Sequence, residues 1–197
     1  MFGKPTVFVD ANVWFSRTLR DWLGLLYLSD ETAPFHVRWT EDVLAELLVS
    51  LRKRHPDWDG RRITDIRDRI VETFEVGRVE DFVLDGSYHG KDPLDEHVHA
   101  AAVACNADIL ITCNTADFQW DENNSPYDLM SPDEFFVWVD DAATHVVSRA
   151  VVDSCGYWMS RTGEADLPAR LKANGCPEFA ERVRRHLQGS AGRHICP

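Results

Sequence analysis

The chain has 197 residues, of which 44% are hydrophobic and 27% charged, and its net charge is −12. That length and balance specify one folded domain, or one domain with a small appendage, and exclude a disordered tail. No run approaches eighteen apolar residues and Met1–Pro5 carries no apolar leader, which excludes a membrane-spanning helix and points to the cytoplasm.

Thr6–Val9 is a short β-branched run that suits a strand buried on both faces of a parallel sheet. From Asn12 to Leu28, Val13, Trp14, Leu19, Trp22, Leu23 and Leu26 recur at helical spacing, which predicts one helix. Phe35–Trp39 reads as a second short strand or an extended segment. Thr40 is a good N-cap, and Glu41 and Asp42 suit the positive end of the helix that follows. That helix aligns Leu44, Leu47, Leu48 and Leu51 on one face and ends in Arg52-Lys53-Arg54-His55 before Pro56. Asp59 to Phe74 predicts a further helix. A short strand is expected near Phe82-Val83-Leu84, then a loop through Gly86 and Gly90.

Asp95 to Cys105 reads as an Ala-rich helix, and Asp108–Thr112 as a second apolar strand. A polar loop follows at 119–128. Ser131-Pro132-Asp133-Glu134 is a capping box with proline at the first helical position. Helices alternating with apolar strands predict an α/β domain with a central parallel sheet over 1–142. Beyond 142 the strand signals stop. Residues 143–159, 167–173 and 177–188 read as short helices, giving a helical C-terminal extension over 143–197.

The five cysteines include no Cys-x-x-Cys pair, which argues against a disulfide framework and a structural zinc site. The charge is uneven: residues 1–76 carry −2, residues 77–142 carry −13 and residues 143–197 carry +3. Bulk charge alone therefore does not draw nucleic acid to this chain. The acids in the middle either form a solvated face or hold a divalent cation.

The placement of certain acids favours the second. Asp10 follows the first strand, Asp92 and Asp95 open the Ala-rich helix, and Asn114 and Asp117 follow the Ile109–Thr112 strand. Ligands in open parallel sheets sit at the carboxyl ends of the strands, so these groups should converge. Glu46 lies opposite the leucine face of its helix, pointing to solvent or into a cleft. Singly each has a bland reading: Asp10 and Asp92 as turn residues, Asp95 as a helix cap, Glu46 as a solvated helix residue. Gathered together they form an oxygen-only set suited to Mg²⁺ or Mn²⁺, ions that neutralise a phosphodiester transition state and activate water.

Four segments carry a family resemblance. Val7-Phe8-Val9-Asp10-Ala11-Asn12-Val13, Trp39-Thr40-Glu41-Asp42-Val43-Leu44-Ala45-Glu46-Leu47, Asp92-Pro93-Leu94-Asp95-Glu96-His97-Val98-His99-Ala100-Ala101-Ala102 and Ile111-Thr112-Cys113-Asn114-Thr115-Ala116-Asp117-Phe118 resemble, in order, the four acidic motifs of PIN-domain ribonucleases. The resemblance implies a three-layer α/β/α domain and Mg²⁺- or Mn²⁺-dependent endoribonuclease activity. It maps the family's acids onto Asp10, Glu46, Asp95 and the Asn114/Asp117 turn, with Asn114 standing where many relatives carry Asp. It also implies a VapC-type toxin with a C-terminal helical extension, a cognate antitoxin and a homodimer. Asn12, Arg17, Arg20, Arg52 and Arg54 are the candidates for contacting RNA, and Trp14, Trp120 and Tyr127 for stacking bases. The rival readings are a structure-specific DNA nuclease and a PIN-fold binding module without activity. An aspartyl phosphatase is discarded because Asn12, not Asp, stands two residues after Asp10.

Overall fold

The computed structural model describes residues 3–29, 33–118 and 125–191. Its strands are β1 (Thr6–Val9), β2 (His36–Arg38), β3 (Ile109–Ile111) and β4 (Asp128–Met130). Its helices are α1 (Ala11–Phe15), α2 (Arg17–Leu28), α3 (Glu41–Arg54), α4 (Gly60–Thr73), α5 (Glu96–Ala104), α6 (Pro132–Ala142), α7 (Thr144–Thr162), α8 (Leu167–Lys172) and α9 (Pro177–Ala191). Helices flank a wholly parallel sheet, which is the α/β/α class expected, and further helices follow it in sequence.

The sheet order is β2-β1-β3-β4. Val7 lies beside Val37 on one side and Ile109 on the other. Every residue from Val7 to Val9 and from Ile109 to Ile111 is buried, so these strands are apolar without alternation. The chain leaves β1 for β2 on one side and returns to β3 on the other. In open parallel sheets a ligand crevice forms where the strand order switches, which here falls at the carboxyl ends of β1 and β3.

By its contacts the chain forms two compact units, 1–15 with 35–131, and 16–34 with 132–197. The helical unit is thus larger than the 143–197 extension read from sequence, because α2 and α6 pack with α7, α8 and α9.

In the first unit, Thr40 caps α3 by accepting from the Val43 amide at 3.2 Å. Asp59 does the same for α4 through the Arg62 amide at 2.7 Å. The turn from α5 into β3 passes through Asn106 at φ 50, a left-handed position that asparagine tolerates. In the second unit, Leu19, Trp22, Leu23 and Leu26 of α2 are buried, and Trp22 meets Phe179 of α9 edge-on at 5.0 Å. The Asp133 carboxylate of α6 accepts from the Glu178 and Phe179 amides at 3.1 and 2.8 Å, which satisfies the start of α9. Buried Asp140 accepts from Arg182 at 3.3 Å and faces His186 Nε2 at 2.8 Å, while His186 Nδ1 meets Ser148 at 2.9 Å.

Three elements differ from the sequence reading. The single helix expected over Asn12–Leu28 is two, because the Ser16 backbone is extended and its hydroxyl caps α2 by accepting from the Leu19 amide. The strand expected near Phe82–Leu84 does not form: Val83 and Leu84 are exposed, and among the described residues the only pairing beyond β2 is an isolated bridge between Trp39 and Arg78. Three apolar residues between Asp81 and Asp85 bury too little to hold an edge. Conversely β4 forms where sequence suggests only a polar loop and a helix start, its backbone paired with β3 from Asp128 to Met130.

Candidate functional site

Asp10 sits at the carboxyl end of β1, 3% exposed, with its amide bonded to the Ile111 carbonyl at 3.1 Å. The Thr112 hydroxyl and the Asn12 amide each donate to Asp10 Oδ2 at 2.7 Å. Asn12 also donates to Thr112 Oγ1 at 3.0 Å and accepts from the Cys113 amide at 2.9 Å. Thr112 Oγ1 in turn accepts from the Asn114 amide at 3.0 Å. Asp10 is thereby fixed against the turn after β3. Burial raises its pKa, Thr112 opposes that by bonding the anion, and Glu46 adds to the rise.

Glu46 is exposed on α3, turned away from buried Leu44, Leu47 and Leu51. Its Oε2 lies 3.6 Å from His97 Nε2, and this carboxylate raises the His97 pKa. His97 Nδ1 is buried, with no hydrogen-bond partner among the described residues.

Asp95 ends a 3₁₀ turn, Pro93–Asp95, just before α5. Its side chain makes no capping bond. Capping belongs to Asp92, which accepts from the Leu94 amide at 3.0 Å. Partial burial, then repulsion from Asp10, Asp92, Glu46 and Asp117, pushes the Asp95 pKa from 3.8 up to about 7. Asp117 closes the 3₁₀ turn Thr115–Asp117, and its carbonyl accepts from the Lys91 amide at 3.0 Å and the Tyr88 hydroxyl at 3.1 Å. Gly90 permits that approach, since a Cβ there would collide with the Tyr88 hydroxyl and the Asp117 carbonyl. Burial and the charges of Asp95 and Asp117 hold the Tyr88 phenol in its neutral form.

Asp10, Glu46, Asp95 and Asp117 therefore share one electrostatic neighbourhood with Asp92, and exposed Asn114 lies on its rim, tied to Thr112. The residue profile of the PIN domain family matches residues 6–116, more than half of the chain. The chain belongs to the PIN domain family. PIN domains are generally nucleases, and in this one Asp10 and Asp117 follow strands β1 and β3. No curated protein and no solved structure matches the chain closely enough to count as a relative.

The other sequence candidates fall elsewhere. Asn12 stays within the Asp10 network, with both ends of its amide engaged there. Arg17 and Arg20 belong to the helical unit, where Arg17 pairs with Asp21 at 3.4 Å and lies over the Trp158 ring. Arg52 and Arg54 are exposed at the end of α3, and Arg52 donates to the Trp58 carbonyl. Trp14 is fully buried and donates to the Val9 carbonyl, and Tyr127 is buried against His99, so neither is available to stack a base. Trp120 lies outside the described residues.

The donor set fits a hard divalent ion in kind, being several carboxylates whose mutual repulsion a cation would relieve. Among the described residues no three acid, histidine or cysteine side chains form a ready-made cage. Sequence reasoning passed over Thr112, His97 and Tyr88. Thr112 had a usable signal, a hydroxyl ending an apolar strand beside a candidate acid. His97 lies two residues after Asp95 without any metal-binding spacing, and Tyr88 lies in a loop with no pattern of its own.

Proposed function

We propose that this PIN domain is a Mg²⁺- or Mn²⁺-dependent endoribonuclease that works in the cytoplasm as the toxin of a toxin–antitoxin pair. The observation that carries the reading is the gathering of Asp10, Glu46, Asp92, Asp95 and Asp117 into one neighbourhood, where burial and then their mutual repulsion push the Asp95 pKa up to about 7. Asp10, Glu46 and Asp95 would hold the ion, with Asp117 and Asn114 completing the set. A divalent cation bound there supplies the countercharge for the phosphodiester and makes a hydroxide nucleophile accessible near neutral pH. The chain's own contribution is positional. Thr112 and Asn12 lock Asp10, the Tyr88 and Lys91 bonds anchor the Asp117 turn, and His97 steadies Glu46.

The test is cleavage of a mixed RNA pool with Mg²⁺, Mn²⁺ or excess EDTA, with end-group analysis. Metal-dependent cutting that leaves 5′-phosphate and 3′-hydroxyl ends supports the reading. Undiminished cutting in EDTA, or 2′,3′-cyclic phosphate ends, overturns it. RNA binding without cutting in either metal would favour the binding module, and cutting confined to DNA the DNA nuclease. The toxin role predicts a homodimer and a basic antitoxin, because an inhibitor of a segment carrying −13 gains by placing Arg or Lys against it. Co-expression with the neighbouring gene product and a growth assay test that part.

A further inference from the structure

The corner between α3 and α4 gathers positive charge in an otherwise acidic chain. Arg52, Lys53, Arg54, Arg61 and Arg62 stand within eleven residues, against only Asp57 and Asp59. All five are exposed, and among the described residues none is paired with a carboxylate. Asp59 is already engaged as the cap of α4.

The corner is also built. The His55 and Trp58 rings stack with centroids 3.8 Å apart and planes 2° apart. The Arg62 guanidinium carbon lies 3.8 Å from the Trp58 centroid. Two groups that close to one ring must cover opposite faces, so Trp58 is sandwiched between them. The Arg52 guanidinium donates to the Trp58 carbonyl and ties the end of α3 to the same tryptophan. The stack removes rotamer freedom from Arg62 before any ligand arrives, and it leaves the outer planes of the imidazole and guanidinium turned away from Trp58.

The corner is linked to the acidic centre by α3 itself. Lys53 follows Glu46 by seven residues, so it lies on the same helix face about 10 Å along the axis. An acidic centre repels a polyanion at a distance, and a fixed cluster of unpaired cations two turns away supplies the missing attraction.

We propose that the α3–α4 corner is a docking site for the sugar–phosphate backbone of single-stranded RNA, with the His55–Trp58–Arg62 stack as its rigid floor and Lys53, Arg54 and Arg61 as its flanking cations. This rests on the ribonuclease reading for the identity of the polyanion. The experiment is fluorescence anisotropy of a short labelled single-stranded RNA in EDTA across a salt series. It compares the wild-type chain, Trp58→Leu and the triple variant Lys53→Gln/Arg54→Gln/Arg61→Gln. Each phosphate contact contributes about 0.7 to the logarithmic salt slope of a single strand, so the triple variant should lose about 2 of that slope. From about 50 to 200 mM salt the wild type should then lose about 20-fold more affinity than the triple variant does. Trp58→Leu keeps every charge and should weaken binding at all salt concentrations.

A folded triple variant that binds RNA with the wild-type slope overturns the proposal, including the case where the patch instead serves an acidic protein. Should the triple variant lose its circular dichroism, Lys53→Gln and Arg61→Gln decide singly, each expected to lower the slope by about 0.7. A parallel Mg²⁺ cleavage assay separates the two readings. Wild-type cutting with unaltered variant binding sinks only the corner, whereas salt-sensitive corner binding with no cutting sinks only the nuclease.

Discussion

Replacing Asp95 by Asn separates a helix cap from a crowded carboxylate. Asparagine caps as well as aspartate does, so a cap role predicts almost no change in stability. The structure predicts otherwise, because the Asp95 side chain makes no capping bond and its pKa stands at about 7 against an ordinary 3.8. Taken at face value that rise is about 4 kcal/mol of penalty on the charged form, and screening at a half-exposed position leaves about 1–2 kcal/mol. The sign follows from proton binding. Between the two pKa values the folded chain holds the proton that the unfolded chain has released, so metal-free stability falls as pH rises from about 4 to about 7 and is flat above. Asp95→Asn removes that fall. At about pH 8, without metal, the variant should melt higher by about 2–8 °C, and at about pH 4 it should match the wild type. With Mn²⁺ the order reverses in its response: an ion at about one hundred times its dissociation constant adds about 2.7 kcal/mol to a competent site, and the variant should forfeit most of that. Thermal melts at both pH values with and without Mn²⁺, and one cleavage assay on each protein, supply the readouts. A variant that melts lower without metal at pH 8 and still cleaves at the wild-type rate refutes the reasoning.

Thr112→Val keeps the shape but leaves buried Asp10 and the Asn114 amide each short of a partner; a loss of about 1–3 kcal/mol in urea unfolding is expected, with Thr112→Ser retaining most of it. Gly90→Ala forces apart Tyr88 and the Asp117 carbonyl and should cost about 1–3 kcal/mol by calorimetry, with cleavage reduced because the Asp117 turn shifts. Arg182→Met withdraws the guanidinium from buried Asp140 and should destabilise the chain by about 1–3 kcal/mol, and an unchanged denaturation midpoint would show that His186 alone suffices.

The parts of the fold that could be read from sequence are those where one local rule dominates. β1 and β3 are buried on both faces and therefore wholly apolar, and α3 carries both a Thr40 cap and a leucine stripe. Asp10 and Asp117 could be read as neighbours because strand ends in a parallel sheet share one edge, whereas Glu46 entered by its position opposite the leucine face of α3 and by the family resemblance. What escaped depends on long-range bonding. β4 is defined by its ladder with β3 and not by its own composition, and Ser16 interrupts a continuous apolar period with a single hydroxyl. Asn12 read as a candidate for contacting RNA, yet its amide bonds neighbouring Asp10 and also Thr112 and Cys113, about a hundred residues away along the chain. At the α3–α4 corner Arg52 and Arg54 were legible as candidates for contacting RNA, but nothing in the spacing of His55, Trp58 and Arg62 announces that they stack.

The helical unit draws one of its members from near the start of the chain. Trp22 of α2 rests on Phe179 of α9, and 157 positions of sequence separate them. On a ribosome adding about 5–20 residues each second, the apolar face of α2 emerges roughly 8–30 s before its partner exists. During that interval Leu19, Trp22, Leu23 and Leu26 form a sticky stripe that chaperones can grip and that neighbouring nascent chains can reach. A transcript truncated after α6 would make this exposure permanent, so loss of the C-terminal helices should yield an aggregating product and not a trimmed enzyme.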